Sequence, residues 1–268
     1  MHARSFQQAQ APTGPPLGGL ARVFPQTGMR QDRADEGRGD FANARLVLPD
    51  EPTRDDIGAA SAVSARLGFN MTGMMLPPVS RSSELAASDK RPLILVGANQ
   101  SRVPAAVGAR IATLKPSQGL AAWADGAVVI AGPTPAGTRA AAEAFAGRSP
   151  YVWDLPERDT SATFDRVAGD LAGLLRSAAI EITQISFDEM VFERNRDEAI
   201  SATITADVAN GSTVRARRAI ETLKDRHQRG QEIDRLNYSG VVDLVVRLTD
   251  GKSIEIVTLT RVDVPVRR

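Results

Sequence analysis

Along residues 42–153, short unbroken apolar runs take turns with stretches in which every third or fourth position is apolar. The clearest run is Ala127-Val-Val-Ile-Ala131, bounded by Asp125-Gly126 and Gly132-Pro133. It has the length and composition of a strand covered on both faces. A helix is expected directly after it: Thr138, Ala141, Ala142 and Phe145 share one helical face, and Gly147 stands where a left-handed cap is wanted. Upstream, Ala44–Leu48, Met71–Leu76 and Pro92–Gly97 read as further strands, the last apolar enough to be central. A helix is expected from Pro52-Thr53 to Gly68, with Asp55 and Asp56 in its first turn and Ile57, Ala60, Ser64 and Leu67 inward. Another covers about 102–114, with Val103, Val107, Ile111 and Leu114 inward, and Gly119–Trp123 leads through Asp125-Gly126 into the strand at 127.

The pattern changes after residue 159. Thr160 or Ser161 caps a helix whose Phe164, Val167, Ala168, Leu171, Leu174 and Leu175 form an unbroken stripe. Ile180–Ile185 and Met190–Glu193 follow as strands, and Ala199–Ala206 alternates apolar with hydroxyl side chains, the mark of a half-exposed strand. Asn210-Gly211-Ser212 turns into a helix over 213–229, and Val241–Leu248 pairs across Asp250-Gly251 with Ser253–Leu259 as a hairpin.

Residues 1–40 are expected to form a disordered tail, because Pro12, Pro15, Pro16, Pro25, several glycines and the charged run 30–40 break every period. No apolar centre of the kind a secretion signal needs lies in it, and residues 3–12 suit the remainder beyond a cleaved signal, a cytoplasmic tail or a fragment start. The fold class is therefore α/β to α+β. A mixed α/β layer domain over 41–158 is followed over 159–268 by a smaller α+β sandwich with a C-terminal β-hairpin.

Composition narrows the chemistry. With 33 Lys+Arg against 32 Asp+Glu the chain has no general electrostatic case for nucleic acid. Cysteine is absent, which excludes disulfides, thiolate metal sites and cysteine nucleophiles. No run approaches the ~18 apolar residues of a membrane helix. The two histidines, His2 and His227, fall in the tail and at helical spacing with Ala216, Ile220 and Leu223. A Ser-His-Asp triad or a zinc site would have to use His227, and Gly-x-Ser-x-Gly and His-Glu-x-x-His are both missing. Asp188 and Glu189 are a carboxylate pair in principle, yet adjacent residues on a strand face opposite ways, so they are expected to be a poor acid/base couple. No catalytic residue, metal ligand or cofactor is assigned. The basic helix, with Arg215, Arg217, Arg218, Lys224, Arg226 and Arg229, reads as a solvated face without interleaved aromatics.

Two places suit a ligand. Gly132-Pro-Thr-Pro-Ala-Gly-Thr-Arg139 is a strand-to-helix turn that could offer backbone N–H groups and a helix N-terminus to an anion, with Gly132, Thr134, Gly137, Thr138 and Arg139 as contacts. It matches neither common phosphate-binding glycine motif, and Pro133 and Pro135 remove two amides, so a tight structural turn is the competing reading. Tyr151 and Trp153, beside Asp154, suit a sugar-stacking surface or, two apart on a strand, the edge of a core.

The succession of ARLVLP, a helix ending in Leu-Gly, a strand, PLILVG, a helix and GAVVIAGPTPAGT resembles the non-catalytic N-terminal α/β domain of hexosaminidase- and α-glucuronidase-type glycoside hydrolases over residues 42–153. Comparable units occur in the periplasmic regulatory subunit of cellulose synthase. That resemblance implies a supporting role, with polysaccharide or another domain of a larger protein as partner and a periplasmic or extracellular setting. The expected function is a non-enzymatic accessory or interaction module of an exported protein. The alternative is a small ligand- or anion-binding protein, or an enzyme, that uses the Gly132–Arg139 turn.

Overall fold

The computed structural model describes residues 15–24, 29–33, 40–69, 71–86, 88–147, 160–196, 199–228 and 241–260. In chain order the N-terminal elements are β1 (Leu17–Gly19), β2 (Arg30–Gln31), β3 (Phe41–Ala42), β4 (Arg45–Leu48), α1 (Arg54–Gly68), β5 (Gly73–Met74), β6 (Val79–Arg81), β7 (Leu93–Val96), α2 (Ala105–Ile111), β8 (Gln118–Ala124), β9 (Ala127–Ala131) and α3 (Pro135–Phe145). Then come α4 (Thr160–Ser177), β10 (Ile182–Glu193), β11 (Ala199–Val208), α5 (Thr213–Gln228), β12 (Val241–Thr249) and β13 (Ile254–Thr260). The fold is mixed α/β.

Ten strands form one sheet in the order β13-β12-β11-β10-β8-β9-β7-β4-β6, with β1 parallel to β10 in line with β8. The strands on either side of residue 158 thus belong to the same sheet, joined where Glu189–Glu193 pairs antiparallel with Gln118–Ala122. Strands β9, β7, β4 and β6 are mutually parallel. As expected for central strands, Ile94 and Val129 are fully buried on adjacent β7 and β9. They point to opposite faces: Ile94 joins the larger core, with the α1, α3, α4 and α5 residues, and Val129 the smaller core with Val107 and Ile111 of α2.

Local chemistry sets the helix ends. Thr53 and Asp56 form a capping box on α1, each side chain accepting from the other's backbone N–H. Along α4, Phe164, Val167, Ala168, Leu171 and Leu175 are buried as their spacing requires. Three expectations are corrected. Ile57 is 51 % exposed, while Ala59, Ala60, Val63 and Leu67 turn inward, so the buried stripe of α1 is displaced around the helix. The strand expected over Met71–Leu76 is two residues long and belongs to a separate three-stranded sheet with β2 and β3; β6, beyond Pro77-Pro78, is the sheet strand, because Pro lacks the N–H a ladder needs. The strands expected as separate at 180–185 and 190–193 are one twelve-residue strand, β10, interrupted by register shifts rather than by a turn.

The disordered tail is also corrected for its described part. Leu20, Ala21, Val23, Phe24 and Met29 are buried, and the Phe24 ring lies 5.0 Å from that of Phe145. Gly18-Gly19 is a loop signal in sequence but a close approach in space: a Cβ on Gly19 would lie 2.2 Å from Phe187 O of β10. Tertiary burial, invisible to local periodicity, offsets the ordering entropy here. Leu20→Ala is expected to lower unfolding free energy by about 3 kcal/mol, measured by urea denaturation; an unchanged midpoint would mean that the segment is only loosely attached.

The hairpin expected at Asp250-Gly251 is present, with β12 and β13 in unbroken antiparallel register and a four-residue loop between Thr249 and Ile254. The Asp250 carboxylate accepts from the N–H groups of Gly211, Ser253 and Lys252 at 2.8, 2.8 and 3.0 Å. These bonds, that of Gly211 first, hold its pKa well below the usual carboxylate range. A depressed folded-state pKa gives stability that is complete above the ordinary aspartate range near ~4 and lost as the pH falls below it. The thermal midpoints of the wild type and Asp250→Asn should therefore differ at pH 7 and converge as the pH is lowered from 5 toward 2.

Candidate functional site

The turn between β9 and α3 is where the sequence concentrates candidate ligand contacts, and the structure brings five of them together. Thr134 is the N-cap of α3, with Pro135 in the first helical position. Its hydroxyl accepts from Gly137 N at 3.1 Å and donates to Pro116 O at 2.7 Å. The Thr138 hydroxyl, almost wholly buried, accepts from Gly132 N at 2.9 Å and donates to Thr134 O at 3.4 Å. Thr138 N donates to Thr134 O at 3.0 Å. The amides of Gly132, Gly137 and Thr138 are thus committed within the protein.

The glycines serve a close approach of backbones. A Cβ on Gly137 would lie 2.2 Å from Gln118 O, and one on Gly119 would lie 2.2 Å from Gly137 O, so the first turn of α3 rests directly on the start of β8. Arg139 is 46 % exposed and pairs with Glu143 at 2.8 Å and Asp55 at 3.3 Å, tying α3 to α1. Glu143 first, then Asp55, raises its pKa. Exposed pairs of this kind contribute roughly 0–1 kcal/mol. Arg139→Ala should therefore shift the denaturation midpoint by less than about 1 kcal/mol equivalent, and a larger loss would give the bridge a structural role beyond its exposure. Tyr151 and Trp153 lie outside the described residues, as does the side chain of His227.

Two polar constellations were not singled out in the sequence. At the carboxyl ends of β4 and β7, where the chain order reverses direction across the sheet and open α/β sheets commonly receive ligands, the Gln100 amide donates to Val47 O, Val96 O and Gly97 O at 3.3, 3.1 and 3.2 Å. Beside it, Asp50 accepts from Ser83 N at 2.7 Å, and hydrogen bonds from Ser83 lower its pKa. The position just after a strand end was the available signal. At the other end of these strands Asp89 bridges Arg45, at 3.0 Å, and Arg91, at 2.6 Å, and the Arg45 guanidinium also donates to Ser80 Oγ. All three charged side chains are about nine-tenths buried, a geometry that fixes strand ends by charge-assisted bonds.

The expectation that Asp188 and Glu189 face opposite ways is corrected. A register shift between Phe187 and Glu189 lets both turn to the α2 side of the sheet, where Thr205 Oγ1 donates to Asp188 at 2.5 Å and Arg110 Nε to Glu189 at 3.0 Å. Both carboxylates are thereby committed. Among the described residues no group of three or more His, Cys, Asp or Glu could hold a metal ion, and no helix is long and apolar enough to cross a membrane.

An apolar groove of about 650 Å³ opens at the β6 end of the sheet. Its floor is Leu48, Ala60 and Val79, and the flank of α1 supplies Ile57, Ser64 and Gly68. Met74, 36 % exposed, also lines it, and the two residues that follow it in sequence, Met75 and Leu76, are exposed. Helices α1 and α3 lie side by side on this face of the sheet, linked by the Arg139–Asp55 pair, and the groove begins where that layer stops. No protein-family model matches the chain, and no curated protein matches it at a significant level.

Proposed function

We propose that the protein is a non-enzymatic accessory module of an exported protein, acting by docking an amphipathic helix of a neighbouring domain into the groove between α1 and β6. The observation that carries this reading is the apolar floor of that groove with Ile57 and Met74 exposed at its rim. Clustered exposed apolar side chains mark interaction sites. Small side chains at Ser61, Ser64, Ala65 and Gly68 leave room for a helix to lie against α1, extending the helical layer in which α3 is the neighbour on the other flank. In this reading the Gly132–Arg139 turn serves the fold, since three of its amides and Arg139 already have partners.

Association with polysaccharide belongs to the same proposal and is supported by the resemblance of residues 42–153 to glycosidase accessory domains. A photo-crosslinking residue at Ser64, introduced in the cells that make the protein, should join a helical segment of a companion domain. Ser64→Phe, filling the groove, should abolish binding of that segment without altering the thermal midpoint. The same chain should be retained on at least one of peptidoglycan, chitin or xylan. Retention on none of the three overturns the carbohydrate association, and a Ser64 probe without adducts overturns the docking. The anion reading makes the opposite forecast: amide shifts at 136–138 on adding phosphate, lost in Arg139→Ala.

A further inference from the structure

The two edges of the ten-stranded sheet are built differently. At one edge β6 has three residues and follows Pro77-Pro78, two of the usual means by which proteins keep an edge from pairing with another chain. At the other edge β13 runs for seven residues, Ile254-Glu-Ile-Val-Thr-Leu-Thr260, without proline and in unbroken register with β12. Among the described residues no strand lies beyond it. Ile254 and Ile256 are 66 % and 55 % exposed. The strand's one carboxylate, Glu255, does not guard the edge, because it is drawn to the helix layer by Arg217 of α5 at 2.9 Å.

We propose that β13 pairs antiparallel with β13 of a second copy of this chain, making a two-fold dimer with one sheet continuous through both subunits. A two-fold axis at Val257 sets Ile254 opposite Thr260, Ile256 opposite Thr258 and Glu255 opposite Leu259 of the partner copy. The exposed face then carries β-branched pairs throughout, which suit cross-strand contact, and no like charges stand opposite each other. The axis also brings α5 toward its symmetry mate. Arg217 there already pairs with Glu221 at 2.8 Å and with Glu255 at 2.9 Å, so the α5 cation that reaches β13 is compensated within each copy although the helix as a whole is basic. This assembly uses the edge remote from the α1–β6 groove and leaves the groove free.

The test is sedimentation velocity on the full chain from 1 to 100 μM. The expected species has twice the 28.6 kDa chain mass. I256K, on an exposed position, should keep the wild-type circular dichroism and thermal midpoint while weakening dimerisation at least tenfold. T258E should do the same, and mixing the two variants should restore a heterodimer, because the introduced ammonium and carboxylate face each other across the axis. A wild-type chain that stays monomeric at 100 μM overturns the proposal and leaves the edge to a strand of another protein. A dimer indifferent to both variants, or variants not rescued by mixing, overturns it by placing the interface elsewhere.

Discussion

Val129→Asp should yield no folded protein. Val129 is wholly buried on β9, in register with Leu95 of β7 and Ala122 of β8, and it belongs to the smaller core beneath Val107 and Ile111 of α2. The substitution loses roughly 1.5–3 kcal/mol of side-chain burial. It also places a carboxylate in apolar surroundings, at an effective penalty of several kcal/mol. Together these approach the ~5–15 kcal/mol that holds an ordinary domain together. Burial should instead raise the carboxyl pKa until the group is neutral, and a neutral acid without a hydrogen-bond partner is still costly. Expression with the wild type and Val129→Ala as controls gives the measurement: Val129→Ala should remain soluble with a lowered thermal midpoint, and Val129→Asp should be found in the insoluble fraction. A soluble Val129→Asp chain with a cooperative melt would make β9 a peripheral strand.

Elements with a strong local signature were legible in the sequence. The apolar run at 127–131, the stripe of α4 and the alternation of Ala199–Ala206 each carry their period within a few residues, so neighbours along the chain suffice to read them. What depends on partners remote in sequence was not legible. Leu20 and Phe24 sit in a segment too short to show any period, and only the distant Phe145 and β10 explain why it is ordered. The register shift beside Asp188 adds one residue to one strand, which no property of Asp188 or Glu189 announces, yet it reverses the facing of a carboxylate. Ile57 was placed inward on helical spacing alone; the sheet beneath α1 ends at β6, and Ile57 overhangs that end. Of the candidate site, the residue types of the Gly132–Arg139 turn could be read, but the commitment of its amides could not, since Pro116 and Gln118 approach it from another strand entrance.

Gly137→Val should destabilise by about 4 kcal/mol or more, at the upper end of what overpacking produces. The constraint is space. A Cβ at this position would lie 2.2 Å from Gln118 O, 3.1 Å from Gln118 C and 3.2 Å from Pro116 O, and all three atoms are backbone, held by β8 and the turn before it. No rotamer change relieves such a contact, so α3 must lift from β8. Lifting it breaks the Thr134 hydrogen bonds to Gly137 N and Pro116 O and loosens Phe145, which packs between Phe24 and Phe192. Even Gly137→Ala carries the offending Cβ and should cost a large part of the same amount. Gly108 supplies the control: it also lies in a helix, but a Cβ there meets nothing within 4 Å, so Gly108→Ala should raise stability by about 0.5–1 kcal/mol. Urea midpoints of the three variants decide the matter. Opposite signs at Gly137 and Gly108 are expected, and a Gly137→Val chain as stable as the wild type would mean that α3 does not rest on β8 and that the amides of the turn are open to a ligand after all.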